Sequence, residues 1–124
     1  MKRKIALSAV LFALVAASGT ALAETLPRFA GNLLVDAKGM TLYTFDKDEA
    51  GKTNCYDKCA TAWPPLAAGA DAAAEGEWTV VDRTDGTKMW AYDSHPLYTY
   101  VDDKAPGDIT GDGKGGVWHV AKEE

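Results

Sequence analysis

The chain has 124 residues, with 13 Lys and Arg against 18 Asp and Glu and a formal net charge of −5. That length suits one small domain around one core. An acidic balance without clustered Lys or Arg argues against nucleic acid or anionic lipid as a partner, and four Trp with five Tyr give a globular composition.

The chain begins with the grammar of a signal peptide. Lys2, Arg3 and Lys4 are basic, Ile5 to Val15 is apolar, and Ala21-Leu22-Ala23 places small residues at −3 and −1. The apolar run is too short to span a bilayer. Cleavage after Ala23 would leave a soluble chain, 24–124, in the periplasm or outside the cell, with no stable membrane anchor. Loss of the three basic residues takes the formal charge from −5 to −8. No Cys follows the apolar run, so lipid attachment through an N-terminal Cys is not expected.

Most of the remainder reads as short strands and turns. Leu33 to Val35, the turn Asp36-Ala37-Lys38-Gly39 and the alternating Thr41 to Phe45 predict a hairpin. Cys55 to Ala62 has helical composition and stops at Trp63-Pro64-Pro65, because a residue before proline avoids the helical region. Ala67 to Gly76 is rich in Ala and Gly without apolar periodicity, a connector with room for a helical turn. Trp78 to Arg83, Thr84-Asp85-Gly86 and Thr87 to Tyr92 predict a second hairpin, since Asp-Gly suits the tight antiparallel turn. Asp93-Ser94-His95-Pro96 turns the chain into Leu97 to Val101, completing a three-strand meander. Asp102 to Gly116 holds five Gly and four Asp and reads as a long irregular loop. Val117 to Ala121 is a last strand.

The chain also repeats itself. Leu42-Tyr43-Thr44-Phe45 returns as Leu97-Tyr98-Thr99-Tyr100 at an offset of 55 residues, with Asp48 and Asp103 following at equal distance. Trp63 and Trp118 share that offset, as do Gly31 and Gly86. Tyr43 and Phe45 project to one side of a strand, as do Tyr98 and Tyr100. Each Asp falls at the strand end, where its carboxylate can accept N–H groups of the following turn. The motif therefore reads as architecture: aromatic core, Asp-closed turn and Trp lid. The competing reading is an aromatic face that meets a ligand.

Tyr43-x-Phe45-x-x-Asp48 and Tyr98-x-Tyr100-x-x-Asp103 match Y-x-[FWY]-x-x-D. In this the chain resembles a bacterial family of predicted secreted proteins and lipoproteins, described as a secreted repeat of unknown function. Cys55-x-x-x-Cys59-Ala60-x-x-Trp63-Pro64-Pro65-Leu66 is similar to that family's first-repeat ending. Pro106-Gly107-Asp108, Gly111, Gly113, Gly116 and Trp118 are similar to its second. The resemblance implies export but no activity, and the chain departs from lipoprotein relatives in lacking a lipid-acceptor Cys.

Few residues suggest chemistry. Cys55 and Cys59, stacked if both lie on a helix, most simply form a disulfide in an oxidising compartment. The alternative is copper handling or thiol redox, with His95, His119, Met40 or Met89 completing a soft ligand set. Met40 lies over His95 in the repeat register, so the set to test is Cys55, Cys59, His95 and Met40. C-x-x-x-C with a distant His resembles the copper site of Sco-type chaperones, although Ala60 replaces their Pro. Asp108-Ile109-Thr110-Gly111-Asp112-Gly113 imitates an EF-hand start, but His119 stands where the closing Glu is required. Ser94 is the one serine beyond the leader, which removes a serine-hydrolase reading.

Together these features predict a mainly β, small antiparallel domain of two pseudo-symmetric repeats, about 29–66 and 78–121. A connector, 67–77, joins them, and the first carries one short helix. The expected role is a non-enzymatic binding or accessory protein without a cofactor, serving a small ligand or an envelope protein.

Overall fold

The computed structural model describes residues 27–123. The leader and its cleavage site lie outside the described residues. Among those described, no helix is long and apolar enough to cross a membrane.

Turn chemistry determines where the short strands form. Gly31, at φ +67°, turns β1 (Arg28–Ala30) back on β2 (Leu33–Val35) in antiparallel register. β1 was not anticipated: all three of its residues are exposed, so no alternation marks it in sequence. The expected hairpin after β2 is present in outline. Asp36 accepts the N–H groups of Lys38 and Met40, Val35 bridges Thr41, and Leu42 N–H donates to Leu34 C=O. β3 (Tyr43–Phe45) then leaves to pair with β7 (Trp118–Val120), Tyr43 facing Val120 and Phe45 facing Trp118.

The second half follows the same plan. β4 (Trp78–Asp82) and β5 (Lys88–Tyr92) form the predicted Asp-Gly hairpin, with Asp85 accepting Thr87 N–H inside its turn. The meander differs in one respect. Asp93 and Ser94 alone make the turn, both at positive φ, and His95 opens β6 (His95–Pro96) opposite Tyr92. Leu97 continues that ladder by donating to Trp90 C=O, after which Tyr98 departs to bridge Tyr43 and Pro65.

An approximate twofold axis therefore passes between Tyr43 and Tyr98, which exchange both backbone hydrogen bonds at 2.8 and 3.0 Å. Bonds on either side occur in equivalent pairs. Asp46 N–H donates to Val117 C=O as Val101 does to Ala62, and Ala121 donates to Leu42 as Leu66 does to Leu97. At Leu34 and Trp90 the offset becomes 56, because the first repeat has one extra residue in the turn before its central strand, yet Leu34 donates to Ala121 as Trp90 does to Leu66.

Cys55 to Ala62 is helical only over α1 (Lys58–Ala62). Asp57, at φ +54°, breaks the backbone before it, so Cys55 is not stacked one turn below Cys59. The connector forms no helix: Ala67 bridges Met89, Ala68 N–H donates to Lys88 C=O, and the chain then runs in turns to β4. The Asp/Gly-rich stretch is irregular except for a 3₁₀ turn, Lys114–Gly116.

Two apolar clusters occupy opposite faces of the central strands, as alternation requires. Tyr43, Tyr98, Trp63, Trp118 and Tyr100 build the larger, with Cys55, Met89 and Val81. Leu34, Leu42, Leu97 and Ala121 build the smaller.

Candidate functional site

The repeat motif is consumed by its own fold. Trp63 and Trp118 stack at 3.8 Å between ring centroids, 4° from parallel. Phe45 stacks on Trp118 at 4.1 Å and Tyr100 on Trp63 at 4.0 Å, a continuous pile of four rings. Tyr43 and Tyr98 meet the pile edge-on, each 5.2 Å from the indole of its own repeat. Edge and face contacts of this kind suit the ring quadrupoles. With Tyr43, Tyr98, Trp63, Trp118 and Tyr100 all buried, these rings do not supply a ligand-facing surface. That expectation is corrected in favour of the architectural one, and the indoles are a central stack rather than lids.

Each Asp closes its own loop, as its position suggested, and then reaches across the axis. Asp48 accepts Asn54 N–H at 2.7 Å on one oxygen and the Tyr98 hydroxyl at 2.5 Å on the other. Asp103 accepts Thr110 N–H at 2.9 Å and the Tyr43 hydroxyl at 2.7 Å. Burial, with the carboxylate beside it, pushes each phenol of Tyr43 and Tyr98 well above the ordinary tyrosine range. Burial also raises Asp48, against the opposing bonds from Tyr98 and Asn54.

On one side this interlock extends into a group that the second repeat lacks. The Tyr98 hydroxyl lies 2.5 Å from Thr53 Oγ1. Arg83, 5% exposed, donates to Thr53 Oγ1 at 3.4 Å and to the Cys55 carbonyl at 2.8 Å. Its guanidinium sits 4.3 Å from the centre of the Tyr56 ring, and exposed Asp85 lies 3.6 Å from Nε. Neither Thr53 nor Arg83 was singled out from sequence. A lone Arg leading into an Asp-Gly turn looks like solvated surface, and nothing local signals its burial.

Cys55 and Cys59 are joined in a disulfide, with Cα atoms 5.2 Å apart. Both sulfurs are bonded to each other, and neither is a free thiolate ligand in this form. Among the described residues, Cys55, Cys59 and His95 do not gather into any group of three or more His, Cys, Asp or Glu side chains able to hold a metal. His95 is exposed in β6, and Met40 is half-buried at the end of the Asp36 turn. His119, also exposed, pairs with Asp46 at 2.8 Å. The loop acids serve backbone instead: Asp108 accepts the N–H groups of Lys104 and Ala105, and Asp112 that of Val120.

Two hollows lie beside the smaller apolar cluster in near-equivalent positions. One, of about 250 Å³, is lined by Leu34, Leu97 and Ala121 with Tyr92, His95 and Lys122. The other, of about 320 Å³, is lined by Trp90, Leu66 and Ala67 with Asp36 and Lys38. Ala121 and Lys122 correspond to Leu66 and Ala67, and Leu34 to Trp90. The symmetry thus supplies two hollows, and sequence differences give them distinct linings.

A family model described as a secreted repeat of unknown function matches residues 25–67 and again 79–122. No curated protein and no solved structure matches the chain.

Proposed function

Because the chain belongs to this family of secreted repeats, we propose that it is a non-enzymatic binding or accessory module of the bacterial envelope, acting in the periplasm or outside the cell. The shared motif is its scaffold, and its binding site is the hollow between the two halves at Leu34, Leu97 and Ala121. One observation supports this reading: Tyr92, His95 and Lys122 border a hollow above the buried Leu34, Leu97 and Ala121, so a ring and two polar groups converge on one concave site. Its volume of about 250 Å³ suits a small amphipathic ligand, with an apolar body against the half-buried Tyr92 ring and a polar head toward His95 and Lys122.

The test is an amide-resolved NMR titration with naphthalene sulfonate as a minimal amphipathic probe. Saturable shifts centred on Tyr92, His95 and Lys122 are expected, weakened at least about threefold in the His95→Ala, Lys122→Ala double variant. Shifts elsewhere, or none at millimolar probe, would remove the hollow as the site.

A further inference from the structure

The disulfide stands where the pseudo-symmetry says that none is required. The equivalent stretch of the second repeat follows Asp103, presents Thr110 N–H to that carboxylate, packs Gly111 on Trp63 and Tyr100, and reaches Trp118 without a cross-link. A four-residue separation also encloses almost no chain, so closing it gains little by restricting the unfolded state. Fold stability therefore accounts poorly for this bond.

Its surroundings are polarised. Cys55 is fully buried and Cys59 keeps part of its surface open to solvent. Next to the buried cysteine, and nowhere in the twin loop, a buried guanidinium is fixed by the Cys55 carbonyl and the Tyr56 ring. Burial alone would oppose a thiolate at Cys55. Cations near a cysteine favour its thiolate form, and Arg83 reaches Cys55 through the backbone carbonyl. Exposed Asp85, 3.6 Å from Nε, and the Asp48 carboxyl, which the Arg83 charge lowers, offset that charge in part.

We propose that Cys55–Cys59 is an exchangeable disulfide, with the part-exposed Cys59 as the sulfur attacked by an external thiolate and the buried Cys55, whose carbonyl Arg83 bonds, as the leaving sulfur. The co-reactant is a dithiol. One of its thiolates attacks Cys59 Sγ, the Cys55–Cys59 bond breaks, and the electron pair leaves on Cys55 Sγ. The second thiol of the reductant, deprotonated, then attacks its own sulfur in the mixed disulfide and releases Cys59 as thiolate. Two electrons and two protons pass to the protein, and the reductant becomes a disulfide. Run in reverse, the reduced pair reduces a disulfide partner. This assignment is independent of the ligand hollow.

The test uses the oxidised exported protein. Dithiothreitol should free both thiols while the near-ultraviolet circular dichroism of the aromatic pile persists. Brief exposure to glutathione, followed by acid quenching and peptide mapping, should place the adduct on Cys59 at least about tenfold over Cys55. Arg83→Gln should slow reduction by about tenfold and Arg83→Lys by less than about threefold, as expected of leaving-group stabilisation. Reduction that occurs only with unfolding, an adduct chiefly on Cys55, or equal rates in both Arg83 variants and the parent would overturn the proposal. If Arg83→Gln does not fold, the adduct position on the unaltered protein decides it.

Discussion

The phenols of Tyr43 and Tyr98 are held protonated by burial and by the carboxylates they donate to. In the unfolded chain both would ionise near pH 10. Their stabilising contribution is therefore complete below about pH 10 and falls above it, by up to ~1.4 kcal/mol per pH unit for each tyrosine. Urea midpoints between about pH 9 and pH 11 should show this loss, and the Tyr43→Phe, Tyr98→Phe double variant should lose the slope although it is less stable throughout. Asp48 behaves unlike most paired carboxylates. Because burial raises it, its contribution favours the fold below the unfolded Asp range and is lost as pH rises through the raised value. The residues of this interlock were legible in sequence, but their partners were not. Asp48 stands three positions beyond Phe45, so its visible role was local, and the bond to Tyr98 exists because the twofold axis brings that hydroxyl to it.

Among the elements, the ones with turn chemistry of their own were read correctly. Asp85-Gly86 announced β4 and β5, and Trp63-Pro64 marked the end of α1. Elements defined by distant partners were not legible, for the strand at Leu97 to Val101 is divided between Trp90, Tyr43 and Pro65. The Asp/Gly loop gains a definite role from its packing. A Cβ at Gly111 would lie 2.5 Å from Trp63 Cη2 and 2.9 Å from Tyr100 Cδ2. Its φ is not in the left-handed region, so the constraint is space rather than backbone freedom. Gly111→Ala should cost about 1–3 kcal/mol by overpacking, read as a fall in the thermal midpoint of roughly 4–8 °C per kcal/mol.

At the scale of the whole molecule, each repeat lacks what the other supplies. β3 of the first half pairs with β7 of the second, Pro65 pairs with Tyr98, and both Tyr–Asp bonds cross the axis. Neither half buries its own aromatic face, so separately produced fragments 27–70 and 71–123 should each be unfolded and should regain the native spectrum when mixed. Independent folding of either fragment would contradict this. The sequence showed that there were two copies but not that they were interlocked, because an offset of 55 residues is equally compatible with two domains side by side. The paired indoles add an optical consequence. Trp63 and Trp118 are close and parallel enough for their excited states to be shared between the rings instead of belonging to one. That exciton requires one indole from each half, so its spectral signature reports directly whether the two repeats are docked.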